Sequence, residues 1–153
     1  MWAGVQAENI PANWAVIESL IEQALSFTHG EMTPRDVYCQ LLAGHWGLWV
    51  SGRDADHWGI VVTRIYDYFE KRICEIVLLA AKQGYSLKEL QKEFQPVLFD
   101  WARQQQCDTV RAITTRKGLK AALGPEWKEI YIEMEYDLWA RVPAAEAKAA
   151  AQA

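Results

Sequence analysis

The stretch that decides the fold is ICEIVLLAAKQGYSLKELQKEFQPVLFDW, residues 73–101. Its first part is an unbroken apolar run over 76–81, which is typical of a strand buried on both faces. A glycine turn at Gly84 follows, and Ser86 and Glu89 then form the S-x-x-E pattern of a helix capping box. The next apolar residues recur at close to the helical period and predict a long helix: Leu87, Leu90, Phe94, Val97, Leu98 and Trp101.

The turn between this strand and this helix is a candidate anion site. Unpaired amides and the helix dipole both favour negative charge at a helix N-terminus. Capping by Ser86 and Glu89 alone also explains the sequence, so the alternative is a simple strand-to-helix turn without a ligand.

Length and composition indicate one globular domain. The chain has 153 residues, of which 51% are hydrophobic and 24% charged, and its net charge is −4. This charge argues against a general nucleic-acid binder. Three separated cysteines, Cys39, Cys74 and Cys107, predict reduced and mostly buried thiols in a cytoplasmic setting. We predict neither a signal peptide nor a membrane span, because the N-terminus lacks the required pattern and no apolar run approaches 18 residues.

The remaining strands are predicted from β-branched or alternating segments. Besides the strand over 73–80, we predict five strands: a short one around Val5, then Trp46–Ser51, Trp58–Tyr66, Thr109–Thr114 and a last one over 129–136. In that last strand Ile130, Ile132, Met134 and Tyr136 are expected to share one face. The second and third strands are expected to form a hairpin.

Helices are predicted from capping signals and apolar spacing. A first helix follows Pro11, a second begins at Thr33-Pro34, the long one runs from Ser86 to about Gln105 with Pro96 inside it, and a short one covers 116–123. We expect a single domain over residues 1–142 and a flexible alanine-rich tail over 143–153.

This order of elements resembles the GCN5-related N-acetyltransferase (GNAT) superfamily, over roughly Val5 to Leu138. The segment Leu98–Arg103 leading into Cys107–Val110 adds to the resemblance. Within the superfamily the chain looks most like the small GNAT-like proteins of tailed bacteriophages. The resemblance implies that the fold class is α/β (α+β), with a GNAT-like mixed and mostly antiparallel sheet flanked by helices. It also places the 73–101 unit at the cofactor site.

The motifs of active members match this sequence only in part. Their turn carries Q/R-x-x-G-x-G/A, whose amides hold the pyrophosphate of acetyl-CoA. The resemblance places Gln83, Gly84, Tyr85 and Ser86 at that site, but Ala81 stands at the Gln/Arg position and Ser86 at the last Gly/Ala position. Many members also have a tyrosine, four residues before a glycine in the last helix, that protonates the departing thiolate. Counting back from Gly124 gives Lys120 here.

Glu75 stands where some members keep a general base, so it is the candidate catalytic residue. A solvated strand residue next to Arg72 is the alternative. The most basic local cluster is a candidate for the 3′-phosphate of CoA, for nucleic acid, or for plain solvation: Arg111, Arg116, Lys117 and Lys120. The three histidines, His29, His45 and His57, lack metal-binding spacing, so no metal site is predicted.

Eight tryptophans are many for this length, and Trp is enriched in interface hot spots. Three of them, Trp46, Trp49 and Trp58, fall in the first hairpin and are candidate partner-binding residues, with a core position as the alternative.

The expected function is that of a catalytically degenerate GNAT-like protein. It would be a structural or interaction component, binding phage structural proteins or itself, in the host cytoplasm or in a bacteriophage virion. The alternatives are an acyl-CoA-dependent N-acetyltransferase of unknown amine substrate and an acyl-CoA sensor. In the first case no cofactor is expected, and in the others the cofactor is acetyl-CoA.

Overall fold

A computed structural model describes residues 1–28, 30–52, 56–114, 118–130, 134–136 and 138–139. These residues form one five-stranded sheet with helices on both faces. The strands are β1 (Trp2–Val5), β2 (Trp46–Ser51), β3 (Gly59–Tyr68), β4 (Lys71–Ala81) and β5 (Thr109–Ala112). The helices are α1 (Ile10–Leu25), α2 (Pro34–Leu42), α3 (Leu87–Gln104) and α4 (Leu119–Leu123), and a 3-10 turn covers Ala7–Asn9.

The sheet order is β1-β2-β3-β4-β5. All neighbouring pairs are antiparallel except β4 and β5, which are parallel. The fold class predicted from the sequence is confirmed, as is the hairpin of β2 and β3. No helix within the described residues is long and apolar enough to cross a membrane.

Two hydrophobic cores lie on opposite faces of the sheet. On one face α1 and α2 pack against residues such as Leu48, Ile60 and Val62. On the other face α3 buries Leu90, Phe94 and Leu98 against the sheet. Because both faces are covered, β4 is apolar over most of its length, as a doubly buried strand must be.

A β-bulge interrupts the alternation of β4. The register pairs Val62 with Leu78 and Thr63 with Ile76, so Val77 is the extra residue. As a result Ile76 packs on the α3 side, whereas Val77 and Leu78 both pack on the α1–α2 side. A bulge bends and twists its strand, and this one lies where β4 begins to extend beyond the end of β5.

Several predictions about the C-terminal part are wrong or lie outside the described residues. Met134 and Tyr136 are not in a strand, and their exposed fractions are 89% and 84%. Ile130 is also exposed and outside a strand, so these three do not form a buried face; residues 131–133 are not described. A clean alternation of apolar residues does not make a strand unless a neighbouring strand supplies hydrogen bonds. The domain boundary at 142 and the tail over 143–153 stay predictions.

Cys39 corrects the expectation about the thiols. It lies on the exposed face of α2, whereas Cys74 is buried and Cys107 is half-buried. Only Val37 and Leu41 are buried in that helix, and Leu42 is exposed. The buried face of the helix therefore includes fewer residues than its apolar residues predicted.

Candidate functional site

The turn after β4 presents open space in front of a long helix. The Lys82 amide donates to the Trp58 carbonyl at 2.7 Å, and the Tyr85 amide donates to the Lys82 carbonyl at 3.1 Å. Gly84 between them has φ +95, a conformation that favours glycine. A Cβ placed on Gly84 would meet nothing within 4 Å. The glycine is therefore needed for the backbone conformation, and the space above it is free for a ligand.

The N-terminus of α3 carries its own anion. Ser86 Oγ accepts from the Glu89 amide at 3.1 Å, and the Glu89 carboxylate accepts from the Ser86 amide at 2.6 Å. This backbone hydrogen bond from Ser86 is the main cause that lowers the pKa of the Glu89 carboxyl. The predicted capping box is present, and it supplies negative charge where a phosphate would otherwise be stabilised by the helix dipole.

Two further amides of the first helical turn remain for a ligand. No acceptor within the described part of the chain takes the amides of Leu87 and Lys88. The first amides of a helix lack intrahelical partners, so they bind water or an anion. The turn can thus hold a phosphate oxygen beside the Glu89 carboxylate, although that carboxylate opposes it.

Lys82 and Tyr85 flank the turn. Lys82 Nζ lies 2.8 Å from Asp56 Oδ1, and this hydrogen bond lowers the pKa of the Asp56 carboxyl. The Tyr85 ring stacks on Trp58 with centroids 4.7 Å apart and planes at 20°. One cation and one half-exposed aromatic ring therefore lie beside the Gly84 turn. All four residues at positions 83–86 are exposed.

Glu75, the candidate general base, is buried and held by an arginine. Its residue exposure is 3%, and it lies directly opposite Arg64 across β3 and β4. Arg64 donates to both carboxylate oxygens at 2.9–3.2 Å. The alternative of a solvated residue next to Arg72 is wrong, because Arg72 instead contacts Asp67 and Gln105.

Tyr66 and Arg111 complete the surroundings of Glu75. Arg111 is the register partner of Glu75 on β5. The Arg64 guanidinium lies 5.0 Å from the centre of the Tyr66 ring. Burial, followed by the negative charge of Glu75, raises the pKa of the Tyr66 hydroxyl. Sequence reasoning missed Arg64 and Tyr66, since cross-strand neighbours become visible only once the register is known.

A small cavity lies where the pairing of β4 and β5 ends. Registered pairing ends at Ile76 and Ala112, whereas β4 continues to Ala81. The cavity has a volume of about 40 Å³ and is lined in part by Val77, Ile113 and Phe27. This volume has room for a few water molecules at most.

The three hairpin tryptophans do not form one exposed patch. Trp49 is buried and donates from Nε1 to Thr63 Oγ1 at 3.0 Å. Trp46 is half-buried against the α1–α2 core, whereas Trp58 packs on the opposite face against the α3 core. Trp46 and Trp49 lie on opposite faces because side chains alternate along a strand and these two are an odd number of residues apart. A partner-binding role for Trp46, Trp49 or Trp58 stays a prediction.

Two residues of the basic cluster, Arg111 and Lys120, lie in the part of the chain that the structure describes. Arg111 is half-buried in β5 beside the Glu75 position, and Lys120 lies 3.3 Å from Glu129. Residues 116 and 117 lie outside the described part, as does position 29. The described histidines make local bonds: His45 contacts Gln40, and His57 contacts the Ser51 carbonyl. Within the described residues there is no cluster of ligands for a metal ion.

Neither a family model nor a curated protein sequence matches this chain. The fold, in contrast, matches solved acetyltransferase structures over nearly its whole length. An aminoglycoside acetyltransferase from an uncultured soil metagenomic sample, in complex with sisomicin, has a TM-score of 0.63 at 12% identity, covering 90% of this chain and 95% of that one.

Two further neighbours have similar scores. The ribosomal-protein-alanine N-acetyltransferase from Brucella melitensis biovar Abortus 2308 has a TM-score of 0.60 at 12% identity, covering 88% of this chain and 99% of that one. An aminoglycoside N-acetyltransferase in complex with CoA has a TM-score of 0.63 at 14% identity, covering 89% and 93%. At these identities the comparisons establish the fold: this chain has the fold of the GNAT acetyltransferases.

Proposed function

We propose that this chain binds an acyl-CoA at the β4–α3 turn and is an N-acetyltransferase-like protein. The observation that carries the proposal is the Gly84 turn. It has a positive φ, open space above it, and an 18-residue helix beginning three residues later. Two of the solved structures that share the fold contain CoA or acetyl-CoA.

The turn residues would hold the phosphates of the cofactor. Amides of Leu87 and Lys88 would donate to phosphate oxygens, and Lys82 would exchange Asp56 for a phosphate partner. When bound, the cofactor supplies an activated acyl group. The amine substrate is not defined by any contact in the structure, so the proposal names only the donor.

The chain's own acid–base groups are limited. Glu75 could take a proton from an amine only if Arg64 released one carboxylate oxygen. Lys120 forms an ion pair with Glu129 and stands where the resemblance expects a tyrosine. These contacts favour binding over fast turnover.

Calorimetric titration of the purified full chain with acetyl-CoA tests the proposal. We expect micromolar affinity in the wild type and loss of detectable heat in Gly84→Arg, which fills the space above the turn. The matched control is Gly44→Arg, because Gly44 also has a positive φ and no atom within 4 Å of an added Cβ. Both variants carry the same backbone strain and charge, so equal loss in both would contradict a site at Gly84.

A Glu89→Gln variant sharpens the same experiment. Removing the carboxylate from the α3 N-terminus should tighten acetyl-CoA several-fold, because negative charge there competes with phosphate. An unchanged or weaker affinity would place the cofactor elsewhere.

The second candidate is a non-catalytic interaction component. It is favoured because two carboxylates of the candidate site already have partners within the chain. The Glu89 carboxylate accepts a hydrogen bond from the Ser86 amide, and the Glu75 carboxylate accepts one from Arg64. If neither the wild type nor Glu89→Gln binds acetyl-CoA, this candidate replaces the first. Its finer form, a part of a bacteriophage virion or its assembly in the host cytoplasm, is tested by mass spectrometry of purified particles, where absence of the chain would reject it.

A further inference from the structure

We infer that the Tyr85–Trp58 pair is a stacking platform for the nucleobase of the ligand. The inference rests on the proposed function and extends it: the site would select a thioester that carries a nucleotide over one that carries pantetheine alone. It concerns two side chains that lie beside the phosphate-binding turn and take no part in acid–base chemistry.

The geometry is that of a supported ring with one open face. Tyr85 and Trp58 are nearly parallel, at 20° and 4.7 Å between centroids. Tyr85, the outer ring, is 49% exposed. Trp58 is fixed from behind by an edge-on contact with Trp2, at 5.5 Å and 75°, and its carbonyl accepts the Lys82 amide. A base that stacked on Tyr85 would extend an ordered column of rings.

The position of the platform fits a nucleotide. Tyr85 directly follows Gly84 and directly precedes the Ser86 N-cap. Its side chain is therefore attached to the same turn as the amides that would bind phosphate. Lys82 stands on the other side of the glycine with its ammonium group at Asp56. A base on Tyr85 and phosphates at the turn are therefore contacts that one nucleotide can make together.

Packing alone does not account for an aromatic residue at this position. Half of Tyr85 remains in water, and within the described residues its ring contacts only Trp58, which is already held by Trp2. Bases stack on aromatic side chains without regard to sequence, and loss of such a stack weakens binding by roughly fivefold to more than a hundredfold.

Titration of the full chain with three probes tests the inference: acetyl-CoA, S-acetylpantetheine and ADP. The variants are Tyr85→Ala, which removes the ring, and Tyr85→Phe, which keeps it. We expect the Kd for acetyl-CoA to rise about tenfold in Tyr85→Ala, within the range for a lost base stack, and to stay within about twofold in Tyr85→Phe. S-Acetylpantetheine should bind wild type and Tyr85→Ala equally.

The outcomes separate the two proposals. Unchanged acetyl-CoA affinity in Tyr85→Ala, or an equal loss for acetyl-CoA and S-acetylpantetheine, would overturn the platform and leave the acyl-CoA site standing. Ring-dependent binding of ADP without binding of acetyl-CoA would keep the platform and reject the acyl-CoA proposal. Failure of the wild type to bind either nucleotide would reject both. Circular dichroism of each variant checks that the fold is retained.

Discussion

At the scale of single residues, Phe69 is the most unusual position in the described chain. It lies at the tip of the β3–β4 hairpin with φ +54, and its exposed fraction is 90%. Residue Tyr68, which contacts it edge-on, is paired with Lys71, so Phe69 and Glu70 form a two-residue turn. Such hairpin turns need positive φ and favour glycine or asparagine. A phenylalanine there carries backbone strain.

Replacing Phe69 should therefore stabilise the protein. We expect Phe69→Gly to raise the free energy of unfolding by about 0.5–1 kcal/mol, since relief of roughly 1–2 kcal/mol of left-handed strain exceeds the added flexibility of the unfolded chain. Urea unfolding followed by circular dichroism measures the change. Phe69→Leu is the control and should give no gain, and a fall in stability for Phe69→Gly would show that the ring stabilises the hairpin.

The sequence and its resemblance identified some positions and missed others. The resemblance selected Glu75 as a candidate base, and the structure buries this residue. Its partner Arg64 lies eleven residues earlier and has no local signal, because only the register of two strands brings them together. The pair illustrates how a candidate base can be buried and held by an ion pair.

At the scale of elements, the two capping boxes carry the local structure. In α2 the Thr33 hydroxyl accepts from the Asp36 amide and the Asp36 carboxylate accepts from the Thr33 amide. In α3 Ser86 and Glu89 make the same reciprocal bonds. Both helices begin where the sequence predicted, because capping needs only residues within four positions of each other.

The two caps should contribute similarly to stability but differently to binding. We expect Ser86→Ala and Thr33→Ala each to lower the free energy of unfolding by about 1 kcal/mol, from the loss of one capped amide. Thermal unfolding measures both. Only Ser86→Ala should change the acetyl-CoA affinity, and an equal change in Thr33→Ala would mean that the effect is on stability rather than on the site.

Other features of the elements could not be predicted. The bulge at Val77 leaves no trace in a run of six apolar residues, since its position depends on pairing with β3. The predicted last strand shows the reverse case. Its alternation is strong, yet Met134 and Tyr136 are outside any strand, because hydrogen bonding to a neighbour is what makes a strand.

At the scale of the whole molecule, the aromatic residues form a continuous column on the α3 face. Ring contacts connect Tyr85, Trp58, Trp2, Phe94, Trp49 and Trp101 in that order, with centroids 4.7–5.6 Å apart. Tilted and edge-on aromatic pairs add to the stabilisation from burial. Four of the eight tryptophans thus join the first strand, the sheet and the long helix.

The same core makes stability depend on pH in the alkaline range. Burial raises the pKa of the Cys74 thiol from 9.0 to about 12. The unfolded chain therefore loses this proton at lower pH than the folded chain, so stability that is present below pH 9 is lost as the pH rises toward 12. From pH 8 to pH 10 the loss attributable to Cys74 should be on the order of 1 kcal/mol.

Urea unfolding of wild type and Cys74→Ala at pH 8 and pH 10 measures this dependence. The wild type should lose on the order of 1 kcal/mol more than Cys74→Ala over that interval. Cys39→Ala is the control, because it removes an exposed thiol in place of the buried one. Equal slopes in wild type and Cys74→Ala would show that this thiol ionises alike in the folded and unfolded states.

The sequence by itself determined the strand–turn–helix unit over residues 73–101, the capped helix starts, the hairpin and the class of the sheet. These follow from interactions between residues close in the chain, or from the demand that apolar faces be buried. Only the tertiary structure decided that Arg64 holds Glu75, that Val77 bulges, that Trp46 and Trp49 lie on opposite faces, and that Tyr85 stacks on Trp58. Each of these depends on strand register, which is set by the sum of many distant contacts rather than by any local pattern.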